Sequence, residues 1–281
     1  MRPKNDSVVE ILDQVINDYE KNPVDLLGIG DGNGEYKYLV NARHSYKRTV
    51  EDVIGLFPEQ QSGDVEVIKI LEIGAFLGVV SLTLARLEAK VTALDIPEFV
   101  SNERLQQRYR QSGVESVAVN LKDYSLPFDS GTFDLVIMCE TLEHLNFNPL
   151  PVMAEINRIL RVDGHLYLAL PNLASLPNRF NLLCGRSIHN PLEDFVAQLS
   201  NQNNMIVGLH WREYVRDELL EMVTLSGFKC VRHTYELPVV ASRLAFLLYR
   251  LFPTLRPAQN LLAQKHGDHN MIFHFTEATM V

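Results

Sequence analysis

The chain has 281 residues, 46% hydrophobic and 22% charged, the balance of a globular protein able to bury a sizeable core. With 26 basic against 35 acidic residues its formal net charge is −9, which leaves no broad electrostatic footprint for a phosphate backbone and excludes nucleic acid as an expected partner. Three widely spaced cysteines, Cys139, Cys184 and Cys230, fit neither a disulfide framework nor a Cys-rich zinc site.

The first residues, MRPKNDSVVEILDQV, are too charged for a signal peptide, and no apolar stretch approaches the ~20 residues of a membrane span. A cytoplasmic protein without a transmembrane segment is expected. Val8, Ile11, Leu12, Val15 and Ile16 recur at helical spacing across residues 7–20. GIGDGNGEYKY (28–38) has too many glycines for a helix and reads as a flexible loop, and residues 39–57 read as helical again. Residues 1–65 therefore form a helical preface. From residue 67 the pattern alternates. VIKILEI (67–73), KVTALDI (90–96), ESVAVNL (115–121), FDLVIMCE (133–140) and HLYLALP (165–171) read as strands. VVSLTLARLEA, FVSNERLQQRYRQSG and PLPVMAEINRILRVDG read as helices between them. This alternation predicts a doubly wound, mostly parallel α/β sheet with its ligand at the carboxyl ends of the strands.

Residues 172–213 show no clear period, and a connection of that length reads as a substrate lid. EYVRDELLEMVTLSGF reads as a helix ending at Gly227 and KCVRHTYEL as a strand. Residues 240–264 carry an amphipathic helical pattern broken at FPTLRP, and HNMIFHF (269–275) reads as the seventh strand. Residues 66–281 are thus one domain, with the lid inserted and a helix plus an antiparallel edge strand over 237–281.

The stretch LEIGAFLG (71–78) joins a strand to a helix through a glycine turn, placing free backbone N–H groups at a helix N-terminus. Glu72 just before the turn repels a pyrophosphate and suits a ligand ammonium; the competing reading is a plain turn with glycines for close packing. Asp95 closes the next strand, where an acid can accept both hydroxyls of a ribose. Together the two acids favour a nucleoside bearing an amino acid over a dinucleotide.

At this point residues 66–170 resemble the class I S-adenosylmethionine-dependent methyltransferases. E-x-G-x-F-x-G is similar to their first motif and ALD (93–95) to their second. NLKDYSLPFDSGTFDLVIMCETLEHL (120–145) is similar to a pattern of bacterial members associated with glycan biosynthesis. The likeness continues through EINRILRVDGHLYLALPN and, more loosely, to about residue 235. The resemblance implies a Rossmann-like methyltransferase fold and S-adenosylmethionine as cosubstrate. It places Glu72 near the methionine ammonium, Gly74, Ala75 and Gly78 as the backbone wall of the loop, and Asp95 on the ribose. Ile96, Asn120 and Leu121 lie against adenine, Asp123 competes with Asn120 for the adenine contact, and Glu140 stands at the methionine end. Phe76 departs from the pattern, since small residues are usual there. Its ring is expected to tuck under the following helix, provided the residue does not need a positive φ.

His144, at the mouth of the expected site, is the first candidate for a general base and His210 the second; both also read as structural residues. Glu140, Glu143 and His144 have a spacing that metal sites use, but no further ligand is evident and no metal is expected. VASRLAFLLYRLF (240–252) sets apolar residues between arginines, which suits a core or dimer helix, or an interfacial one if the acceptor is lipid-linked. The expected function is methyl transfer to a small-molecule or saccharide acceptor, at oxygen, with a homodimer among the possible assemblies. A non-catalytic methyltransferase-like protein and a nicotinamide-dependent oxidoreductase are the rival readings.

Overall fold

The computed structural model describes residues 5–26, 30–57, 67–199 and 208–271. Two helices, α1 (Asn5–Lys21) and α2 (Asn33–Leu56), precede the sheet. Then follow β1 (Lys69–Ile73), α3 (Val79–Arg86), β2 (Lys90–Asp95), α4 (Pro97–Val100), α5 (Glu103–Ser112) and β3 (Glu115–Ala118). β4 (Phe133–Cys139), α6 (Leu150–Ile159), β5 (Leu160–Pro171), α7 (Leu176–Leu183) and α8 (Leu192–Leu199) come next. The chain continues through α9 (Arg216–Leu225), β6 (Phe228–Glu236), α10 (Arg243–Leu251) and β7 (Ala258–Lys265).

The seven strands form one sheet in the order β3-β2-β1-β4-β5-β7-β6, with β7 antiparallel to both its neighbours and the other pairs parallel. Chain order reverses between β1 and β4, which opens a crevice at their carboxyl ends. Successive residues of β4 face opposite ways. Leu135 and Ile137 join a core with α1, α2, α3 and α5, whereas Val136 and Met138 join a second core with α6 and α9. The preface helices are therefore part of the domain's core. The Tyr19 hydroxyl donates to the Leu77 carbonyl, and the Tyr167 hydroxyl donates to Asp52 at 2.9 Å.

The structure corrects the sequence reading in several places, and the helix expected to run to Gly164 ends at Ile159, where β5 takes over. α2 begins at Asn33, inside the expected glycine loop; Gly32 precedes it in a left-handed conformation (φ 81°), and Glu35 in its first turn accepts the Leu26 N–H. Residues 172–213 contain α7 and α8. AQNLLAQK is strand β7 and not the end of a helix, because both its faces are buried and such a run has no strand alternation to read. β7 lies between β5 and β6, so the edge strand is β6. The expected strand HNMIFHF is not extended sheet at 269–271, and the rest of it lies outside the described residues. Among the described residues, no helix is long and apolar enough to cross a membrane.

Candidate active site

β1 ends in a loop whose backbone is bent three times into the left-handed region, at Gly74 (φ 74°), Phe76 (φ 50°) and Gly78 (φ 66°). The two glycines serve protein packing. A Cβ on Gly74 would lie 2.3 Å from the Thr141 side chain, and one on Gly78 would lie 2.4 Å from the Tyr109 ring. Asp95 at the end of β2 holds this loop: one carboxylate oxygen accepts the Phe76 N–H at 2.7 Å and the other accepts the Ile96 N–H at 2.7 Å. Burial pushes the Asp95 carboxyl up to about 6, with the two N–H bonds opposing the rise.

A cavity of about 680 Å³ opens beside the loop, within the range of small-molecule sites. Asp95, Ile96, Phe99, Asn120 and Leu121 line one end, Gly74, Phe76, Tyr38 and Glu140 its middle, and Thr141, His144 and Phe147 the far side. Residues flanking α2's start, among them Asp31 and Glu35, complete the wall.

Several expected positions are thus brought together: Gly74, Asp95, Ile96, Asn120, Leu121, Glu140 and His144. Others are not. Glu72 shares the face of β1 that carries Ile70, so its side chain enters the core under α3, where it accepts the Ser81 N–H at 2.9 Å and the Ser81 hydroxyl. It is 3% exposed and does not line the cavity, and burial pushes it up to about 8, so it is not a dependable anion at neutral pH. Ala75 and Gly78 also stand behind the wall, and Asp123 is exposed in a turn beyond it, leaving Asn120 on the cavity. The Asn120 side chain accepts the Lys122 N–H at 3.1 Å, which fixes this corner. Phe76 does take a positive φ, so its ring is not tucked under the helix. It stands on the cavity wall between Tyr38 and Phe99, meeting both edge-on with centroids 5.4 and 5.6 Å away.

The far side is a cluster of acids and imidazoles. Ser45 of α2 donates to Glu140 at 2.7 Å. Glu143 is fully buried with no hydrogen-bond partner on either carboxylate oxygen, and burial beside Glu140 drives it well above the usual carboxylate range. The Glu143 carbonyl accepts the Trp211 N–H at 2.8 Å, which draws the segment after residue 208 onto this corner. His144 donates from Nδ1 to the Leu209 carbonyl at 2.9 Å, leaving Nε2, 3.8 Å from Glu143, with a lone pair. Burial pushes His144 down to about 4. The His210 ring meets His144 edge-on at 4.9 Å, and its Nδ1 is 3.0 Å from Glu213. Ligand atoms of Glu143, His144 and His210 lie within 4.8 Å of one another. His210 completes this cluster from a distant part of the chain. It stands 66 positions beyond His144, and only the word HWREY after the irregular segment marked it.

The residues present fit an adenosine-bearing ligand. Each Asp95 oxygen keeps a lone pair for a hydroxyl, and Ile96, Phe99 and Leu121 offer apolar faces for a flat ring.

Comparison with known proteins agrees. Residues 71–168 match the family described as "Methyltransferase domain". A ubiquinone biosynthesis O-methyltransferase of Xanthomonas oryzae pv. oryzae is 33% identical over 117 residues, 39% of this chain and 45% of that protein. Its counterpart in Xanthomonas campestris pv. campestris is 34% identical over 112 residues, 37% of this chain and 43% of that protein. The match therefore spans less than half the length of these relatives. The structure of a SAM-dependent methyltransferase from Archaeoglobus fulgidus superposes with a TM-score of 0.53 at 13% identity, over 82% of this chain and 99% of that one. One from Mesorhizobium loti gives 0.51 at 13% identity, over 78% and 97%. Residues 71–168 thus match a methyltransferase domain, and the chain around them has the fold of the class I S-adenosylmethionine-dependent methyltransferases.

Proposed function

We propose that the protein transfers the methyl group of S-adenosylmethionine to an oxygen of a small-molecule acceptor. The observation that carries this reading is one cavity with a ribose-type acid and apolar slot at one end, Glu140 in its middle and His144 on the far side. S-adenosylmethionine supplies a methyl group on a sulfonium, open to in-line displacement. In this reading Asp95 accepts the ribose hydroxyls, Ile96 and Leu121 bracket the adenine, and Asn120 meets its edge. Phe76 and Tyr38 exclude water from the methionine end, and Glu140 borders it. His144, fixed as the Nδ1–H tautomer, offers Nε2 to the proton leaving the acceptor hydroxyl, and the rest of the rate comes from holding acceptor and methyl in line. The names of the curated relatives support oxygen as the accepting atom. A saccharide acceptor follows from the family resemblance alone.

The test is calorimetry with S-adenosylhomocysteine, together with transfer of labelled methyl to a panel of phenolic and saccharide acceptors. Asp95→Ala weakens the cofactor product by at least about tenfold, roughly 1.4 kcal/mol. Unchanged affinity removes Asp95 from the ribose role, and no stabilisation of the wild type by millimolar ligand favours a non-catalytic protein.

A second component is favoured by Glu143, whose buried oxygens lack partners beside two imidazoles with their Nδ1 atoms already engaged. Glu143, His144 and His210 would hold a divalent cation of the zinc or manganese type, their Nδ1 bonds to Leu209 and Glu213 fixing the ligand tautomers. With the cation in place, Nε2 of His144 would be a ligand and not the base, and the lowered pKa of a bound acceptor hydroxyl would let its proton pass to solvent. Zinc or manganese then raises the melting temperature of the wild type but not of Glu143→Gln. Equal responses of the two proteins count against the site.

A further inference from the structure

More than half of the large apolar side chains exposed among the described residues lie in two segments, 173–191 and 237–257. α7 exposes Phe180, Leu182 and Leu183. α10 buries a single side chain, Tyr249, and exposes Leu244, Leu247 and Leu251, which at positions i, i+3 and i+7 form one stripe. Arg243 and Arg250, both exposed and two turns apart, run along its margin. Neither segment contains an Asp or Glu, although the chain has 35 of them against 26 basic residues. The roots of the two segments are tied together. The Asn172 N–H donates to the Pro257 carbonyl at 2.8 Å, and its side chain donates to the carbonyls of Thr254 and Arg256 at 2.9 and 2.8 Å.

We propose that this face docks on the surface of an anionic lipid bilayer. Its charge is complementary to such a surface, and the acidic remainder of the chain is repelled from it, which fixes one orientation. A second copy fits less well: packing these faces about a two-fold axis brings arginines against arginines with no carboxylate in either segment to pair them. The face lies at the sheet end that holds the cavity, because β5 runs parallel to β4 and Pro171 ends beside Ala258 where β7 begins. It also connects through side chains to His210, whose ring meets the cavity-lining His144. Asn178 of α7 donates to Glu213 at 2.8 Å, and the other oxygen of Glu213 engages His210. The proposal concerns where the protein works and stands whether or not methyl transfer is its chemistry.

Co-sedimentation with vesicles tests it, using phosphatidylcholine alone and phosphatidylcholine mixed with phosphatidylglycerol. Wild-type protein sediments with the mixed vesicles and not with the neutral ones. Arg243→Ala and Arg250→Ala each lower partitioning roughly fivefold, high salt lowers it further, and Leu247→Glu abolishes it. Folding of each variant is verified by its thermal transition. Absence from the mixed vesicles, equal sedimentation with neutral ones, or undiminished binding of folded Leu247→Glu each overturns the proposal. So does a wild-type dimer without vesicle binding that Leu247→Glu dissociates, which assigns the face to a second copy.

Discussion

Phe76 holds a conformation that L-residues avoid, at a cost of roughly 1–2 kcal/mol, and the Asp95 carboxylate helps keep it there by accepting its N–H. What the strain secures is a ring on the cavity wall between Tyr38 and Phe99. Phe76→Gly relieves the backbone but removes that wall, so the melting temperature changes little while S-adenosylhomocysteine binds about tenfold more weakly, each 1.4 kcal/mol being a factor of ten. Unchanged affinity in calorimetry would show that the ring takes no part. At this scale the sequence was legible where function follows strand ends. Asp95, Ile96, Asn120, Leu121 and Glu140 were readable as crevice positions because residues at and just beyond the carboxyl end of a parallel strand line the crevice. Glu72 was not, since one position along a strand decides between crevice and core, and Ser81, which binds it, comes from the helix above. The partnership of His210 with His144 depends on a chain crossing that no local pattern encodes.

Among the elements, the five parallel strands and their crossover helices were readable because apolar runs bounded by glycine and polar turns leave few alternatives. Two kinds of element escaped. β7 has both faces buried, so its leucines lack the alternation of a half-exposed strand. α2 starts through a glycine-rich stretch, where a left-handed Gly32 and Glu35 in the first turn outweigh the poor helix propensity of Gly34. α10 was read correctly as amphipathic, with its apolar side expected in a core, against a dimer partner or at a membrane interface; within this chain it is not in the core but faces outward. The difference arises because β7 is threaded into the sheet immediately after it, leaving the helix anchored through Tyr249.

For the whole molecule, stability depends on pH through buried acids held above the ordinary carboxylate range: Glu72, Asp95 and the neighbouring Glu140 and Glu143. Folding raises Glu72 from 4.5 to about 8 and Asp95 from 3.8 to about 6. Through these acids the folded state holds extra protons up to about pH 8; His144, pushed from 6.5 down to about 4, opposes them below about pH 6.5, so the loss of stability with rising pH is clearest above that point. In the ligand-free protein the melting temperature declines from pH 6.5 to pH 8, and Glu72→Gln, which keeps an acceptor for Ser81, lessens that decline. A wild-type profile as flat as the variant's would contradict the assignment. The contact between Tyr167 and Asp52 has a further consequence. Its partners are 115 positions apart, and Ser45 and Glu140 are 95 apart. At ~5–20 residues per second, the newborn amino-terminal helices wait on the order of ten seconds for the strands they cover. During synthesis the side of α2 that meets β4 and β5 stays uncovered until those strands emerge, and that interval is when a chaperone has most to protect.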